Sequence, residues 1–279
     1  MNKKILVLAL ALIGVGAFSY QAKADDGTKG ISLEVGADVV SGYLWRGYNL
    51  GGLSIQPSVT FGWNGLYLCG WANIGADSWR FEELSPELDI TIGYDNYGVA
   101  LDLTHLYYFG GDKYFKGLDN PQNLSASTME LHAGFHLGDL VEKVPLSIDW
   151  YTTMLGYDPI VDSEGNVKRA YSTYIQLGYD IYLPLDIVLG LKVGFTPWKG
   201  MYSDYEDVWT NGRTVGFNNL QLRAEREFEL GKLYINVWGE AMFNCYGVDK
   251  NNIILPIGEA SNQKLNGCIG VGIYFCDEW

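Results

Sequence analysis

The sequence has little positive charge, few cysteines and histidines, and no long apolar run beyond its first 18 residues. Each shortage excludes something. Only 19 Lys and Arg stand against 33 Asp and Glu, a formal charge of −14. A chain this acidic repels phosphate backbones, which excludes nucleic acid as a partner. The four cysteines, Cys69, Cys245, Cys268 and Cys276, lack the spacing of a zinc site. None lies near the N-terminus, so none is placed to carry a lipid. No G-x-S-x-G run marks a hydrolase nucleophile. After Phe18 no segment approaches the ~20 apolar residues of a spanning helix. Any membrane passage by the mature chain must then be as a closed barrel.

The first residues do have a pattern. Lys3 and Lys4 precede the apolar stretch Ile5 to Phe18, followed by Ala22-Lys23-Ala24. This order predicts a secretory signal cleaved after Ala24, rather than an anchor, which needs a longer run. Residues 25–30 form a short periplasmic segment and 31–279 a single domain. Cleavage removes Lys3, Lys4 and Lys23 and no acidic residue, so the mature chain is more acidic still.

What is abundant is glycine, tyrosine and tryptophan, at 35, 20 and 9 residues, on a strict period of two. In Ser54 to Trp63 the odd positions are apolar and the even ones polar or small. Asn64-Gly65 then predicts a type I′ hairpin turn. On the return strand Leu66, Leu68, Gly70, Ala72 and Ile74 share one face. The alternation recurs from Pro86, Tyr97, Met129, Leu146, Tyr171, Leu185, Asn218, Leu233 and Leu265. With Ile31 to Arg46 taken as the first, it predicts twelve strands.

Connections alternate in length. Short ones fall near 64–65, 95–97, 138–143, 180–184 and 229–232, and longer ones near 47–53, 75–85, 110–127, 156–169, 197–216 and 244–264. Short turns at one end, long loops at the other and an even strand number are the outer-membrane barrel pattern. The expected fold is all-β: one antiparallel transmembrane barrel of about twelve strands, both termini periplasmic, in the cell outer membrane. Closure of the last strand on the first removes two exposed edges. Apolar-face aromatics fall in two bands, Trp63, Tyr94, Tyr97, Tyr179 and Phe275 near short turns, and Tyr43, Trp45, Tyr107, Phe109, Tyr171, Phe195, Phe217 and Phe243 near long loops. They read as interfacial girdles.

Twelve strands enclose more space than side chains of an eight-stranded barrel fill, which assigns the polar face to a wet lumen. The expected pore-lining residues are Arg46, Glu87, Asp89, Asp102, Glu130, Asp149, Lys192, Arg223, Glu225 and Glu240. The acidic excess predicts weak cation preference if the pore is open. Arg46, beside the first long loop, reads as an ion pair that holds that loop or as a charge that steers solute. Carboxylate pairs such as Glu87 and Asp89 arise by default on alternating strands and do not imply catalysis. His132 and His136 share the polar face but stand roughly 13 Å apart along a strand, too far for one metal without a third element. No metal, cofactor or enzymatic activity is expected. The only pairing singled out among the cysteines is Cys245 with Cys268, which flank the last long loop; four free lumen thiols are the alternative.

Val39-Val40-Ser41-Gly42-Tyr43-Leu44-Trp45-Arg46-Gly47-Tyr48 resembles the opening segment of the TorF family of porins. Pro57 to Trp63, Gly65 to Ala72 and Glu87 to Tyr94 are similar to its next hairpin and strand. The resemblance covers about 31–109 and departs at Gly42, where the family tends to have a polar residue. It implies an outer-membrane barrel with pore activity and supplies no catalytic residues. The expectation is a passive channel for small hydrophilic solutes, in contact with outer-membrane lipid and lipopolysaccharide and delivered by the barrel-insertion machinery. The alternative is an occluded barrel that binds a partner or surface glycan through its loops; the aromatic, acidic stretch Trp198 to Trp209 could stack on sugars or simply cap the barrel. A barrel enzyme is the least favoured reading.

Overall fold

The computed structural model describes residues 30–76, 86–109, 118–119, 127–141, 143–202, 216–245 and 264–278. The predicted signal segment, 1–24, lies outside them. Twelve strands close a single antiparallel barrel. In chain order they are β1 (Ile31–Val40), β4 (Ser54–Trp63), β5 (Leu66–Gly75), β6 (Glu87–Asn96), β7 (Val99–Tyr108), β8 (Ser127–His136), β9 (Leu146–Leu155), β12 (Thr173–Leu183), β13 (Ile187–Thr196), β14 (Gly216–Leu230), β15 (Leu233–Asn244) and β16 (Leu265–Glu278). Two small hairpins accompany them, β2 (Tyr43–Trp45) with β3 (Tyr48–Gly51), and β10 (Pro159–Val161) with β11 (Val167–Arg169).

Each barrel strand pairs with its chain neighbours, and β1 closes the ring between β4 and β16. Ile31 pairs with Trp63, at the short Asn64-Gly65 turn, and Ser32 with Glu278. Both ends of the described chain therefore sit at the short-turn end. Asn64 and Gly65 have φ of 50° and 83°, and Tyr97 and Gly98 have 55° and 71°. These are the paired positive dihedrals of type I′ turns, whose twist matches that of the strands they join.

The alternation sorts side chains as a bilayer requires. Ile92 and Ile269 are 62% and 61% exposed on the outer face, along with Leu66, Leu68, Leu101, Leu177, Leu220 and Val271. Asp38, Glu87 and Asp149 are 1–3% exposed inside. Polar inside and apolar outside inverts a soluble barrel, and only lipid rewards the outer face. Trp63, Tyr97, Tyr179 and Phe275 are exposed near the short turns, and Phe109, Tyr171, Phe217 and Phe243 near the long loops.

Two expectations about the first strand are corrected. It ends at Val40, not Arg46. Ser41 exchanges bonds with Ile269 on β16, its backbone N–H donating to the Ile269 carbonyl and its hydroxyl accepting the Ile269 N–H, both at 2.9 Å. Beyond Gly42 the chain leaves the wall as the β2–β3 hairpin. Tyr43 and Trp45 consequently leave the predicted outer girdle. Tyr43 packs at 5.7 Å against Trp71, on the inner face of β5, and Trp45 at 5.6 Å against Tyr202.

Candidate functional site

The hairpin between β1 and β4 turns at Arg46 and Gly47, both with positive φ, 46° and 98°. Its tip crosses the lumen. Around the ring, β9 lies diametrically opposite β1, and the Arg46 guanidinium stacks 3.9 Å over Tyr151 of β9. It lies 5.3 Å from the rings of Tyr174, on β12, and Tyr202, and 4.7 Å from Trp45. Its two terminal nitrogens grip Glu130 of β8 in a fork, Nη1 to Oε2 at 2.5 Å and Nη2 to Oε1 at 2.7 Å. The planar guanidinium supplies both parallel bonds and an aromatic stacking face, which a lysine does not.

The loop after β13 completes the constriction. Tyr202 is 1% exposed, and its hydroxyl bonds Arg46 at 2.5 Å and donates to Glu130 at 2.9 Å. Tyr174 is fully buried and donates to Asn219 of β14 at 2.9 Å. Gly47 N–H points to the Met242 sulfur of β15 at 3.3 Å. Arg46 and Gly47 thus reach four strands, β8, β9, β12 and β15, in the long-loop half of the barrel. The residues 203–209 of the predicted aromatic loop lie outside the described residues.

A polar column continues toward the short turns. Tyr151 stacks on His132 at 4.4 Å, with planes 11° apart. His132 Nδ1 meets Asp102 at 2.6 Å and its Nε2 meets Asp149 Oδ1 at 3.0 Å. His136 Nε2 reaches the same oxygen at 3.0 Å. His132 thus has a carboxylate oxygen within hydrogen-bond distance of each ring nitrogen, Asp102 at Nδ1 and Asp149 at Nε2. The gap between the histidines is bridged by the third element that the sequence left unnamed, Asp149 on β9. Gly134 permits it: a Cβ there would sit 2.8 Å from Asp149 Oδ1 and 3.1 Å from each Nε2.

The other predicted lumen residues also face inward. Glu87 accepts from the hydroxyls of Tyr43 and Tyr108. Asp89 stands opposite Trp71. Arg223 lies 4.4 Å over Trp238, bonds Glu225 at 2.7 Å and approaches Glu240 at 3.8 Å. Gln221 donates to Glu240 at 2.8 Å. Lys192 pairs in register with Gln221. The structure therefore divides the set: Arg46 and Glu130 form the constriction, Asp102 and Asp149 the histidine column, and Arg223, Glu225 and Glu240 a separate wall cluster. The grouping of Tyr151, Tyr174 and Tyr202 around Arg46 was not among the sequence expectations. Tyr151 and Tyr174, which pair in register, carried a signal, since bulky aromatics on the polar face of two strands mark a filled lumen. Tyr202 lies in the aromatic stretch Trp198 to Trp209, which the sequence offered as a surface-binding loop or a cap and not as a partner of Arg46.

The disulfide expectation is corrected: all four cysteines are free thiols. Cys268 pairs with Glu240, five residues back along β15 from Cys245, about 16 Å at the usual strand rise. A disulfide spans less than about 7 Å between Cα atoms. Cys268 instead donates to the Gly42 carbonyl at 3.0 Å.

No protein-family model matches the chain, and no curated protein matches it. Among solved structures it is similar to the NanC porin, with 10% identity over 87% of this chain and 98% of that one and a TM-score of 0.46. An outer membrane channel from Pseudomonas putida F1 is 15% identical over 95% and 100%, with a TM-score of 0.45. The CymD monoaromatic hydrocarbon channel is 11% identical over 97% and 98%, with a TM-score of 0.44.

Proposed function

We propose that this protein is an outer-membrane channel of narrow bore for small hydrophilic solutes, its permeation limited by the Arg46 hairpin. The observation that carries this reading is the bidentate Arg46–Glu130 pair, set across the lumen from the opposite wall. A charged side chain carried from one wall and paired at the opposite wall narrows the lumen that a solute must pass. The resemblance of residues 31–109 to TorF-family porins supports the same reading. Inward carboxylates outnumber inward basic groups, which favours cations over anions in transit. A reversal potential of anion sign in a salt gradient would remove the cation preference.

The direct test is single-channel conductance of the purified barrel. Wild type is expected to conduct weakly, and replacement of 43–51 by a short Gly-Ser linker to raise conductance several-fold. A second reading is an occluded barrel acting through its loops. Complete burial of Tyr174 and Met242 at the level of the hairpin favours it. Silence of both proteins in a bilayer would sink the channel and leave the occluded reading.

A further inference from the structure

We propose that the short-turn mouth of the barrel holds a divalent transition-metal ion, bound by Asp95, His136 and Asp139. One donor atom from each of the three lies within 4.8 Å of the others. The donors come from three elements: Asp95 from the end of β6, His136 from the end of β8, and Asp139 from the 3-10 turn Leu137–Asp139. Local geometry converges them. The His136 backbone N–H donates to the Gly98 carbonyl at 2.8 Å, which lays the β6–β7 turn against β8. A Cβ on Gly98 would meet the His136 carbonyl at 2.7 Å, so this approach requires glycine.

The independent pointer to a ligand is the His136 ring. The residue is 6% exposed, and its Nδ1 is buried with no hydrogen-bond partner. Its Nε2 is held by Asp149. Nε2–H donation to that carboxylate fixes the tautomer with a lone pair on Nδ1, aimed toward Asp139 at 3.9 Å. A carboxylate behind a histidine, and a bare ring nitrogen in front of two further carboxylates, is the arrangement that raises imidazole basicity toward a metal. Without a cation, buried Asp95 and solvent-exposed Asp139 repel each other. A 2+ ion removes that repulsion and gives Nδ1 its partner. One nitrogen and two carboxylate oxygens suit Zn²⁺ or Co²⁺ better than Ca²⁺ or Mg²⁺, which take all-oxygen shells. Water completes the coordination on the lumen side. The site needs no open pore, so its fate is independent of the channel reading.

The test uses the full mature barrel in detergent, stripped with chelator and titrated with Zn²⁺ by calorimetry and with Co²⁺ by visible absorption. One ion per barrel is expected, with Zn²⁺ preferred over Ca²⁺ and a Co²⁺ spectrum of mixed nitrogen–oxygen ligation. Asp139→Asn, on the mouth turn and outside the strands, and His136→Gln should each weaken Zn²⁺ at least tenfold. Asp149→Asn should weaken it by about 10–100-fold through loss of ring orientation. Glu164→Gln, on a loop at the opposite end, should leave it unchanged. Failure of the stripped wild type to take up one Zn²⁺, or uptake undiminished in Asp139→Asn, overturns the proposal.

Discussion

At the scale of single residues, the lumen is organised by charges that have little water to turn to. Arg46 and Glu130 side chains are each 10% exposed. Removing one partner of such a pair leaves the other uncompensated, at a cost of about 3–5 kcal/mol. Arg46→Ala is expected to fall in that range by denaturant unfolding from bilayers, whereas Arg46→Met with Glu130→Leu recovers most of the loss. Asp158 offers a pH test in the loop after β9. Burial raises its carboxyl to about 6, against the opposing pull of its bonds from the Ser172 hydroxyl and N–H. A raised folded-state value means the folded protein binds this proton more tightly than the unfolded chain. Its contribution is therefore fully present below about pH 4, and is lost as pH rises through 6. Unfolding of wild type and Asp158→Asn at pH 4 and 7 checks this. The gap between them should shift in favour of wild type at the lower pH, and an unchanged gap removes the assignment.

At the scale of elements, the twelve wall strands were legible because lipid and lumen impose a period of two on every one. The I′ turn at Asn64-Gly65 was legible for the same local reason, since few residues tolerate its dihedrals. What was not legible depended on partners distant in sequence. Period two kept Ile31 to Arg46 in one strand, although Val39 and Val40, adjacent and both apolar, already broke the alternation: Val39 is 48% exposed and Val40 is 3%. The inward hairpin, the meeting of two histidines on Asp149 and the separation of Cys245 from Cys268 all follow from register across the barrel. Turn glycines give an element-scale prediction. Gly65 and Gly231 have φ of 83° and 68°. A Cβ at Gly65 would lie 2.8 Å from both Asn96 and Tyr94, but one at Gly231 would meet nothing within 4 Å. Gly231→Ala is expected to cost about 1 kcal/mol for the backbone alone, and Gly65→Ala clearly more, measured by urea unfolding in the same detergent.

At the scale of the whole molecule, stability depends on depth in the bilayer. Ile92 lies mid-strand, opposite Leu68 and Leu103, on the outer face. Ile92→Arg is expected to cost about 2–4 kcal/mol, and Trp63→Arg, beside a short turn, about 0–1 kcal/mol. Equal costs in lipid vesicles would mean that the outer face is not the lipid face. The lumen answers differently, because Thr91 and Thr104 bond each other at 2.8 Å inside, and Thr91→Ser keeps that bond.

The seam between β1 and β16 has a consequence for assembly. Ser32 and Glu278 are paired neighbours although nearly the whole chain separates them. Such a contact carries the largest loop-closure entropy in the fold, so closure of the ring is expected to follow formation of the hairpins from β4 to β15. The same adjacency makes the topology permutable. Joining the two seam strands with a short linker and opening the chain in the exposed β10–β11 loop would convert the slowest, longest-range pairing into a local hairpin, and refolding into vesicles should accelerate.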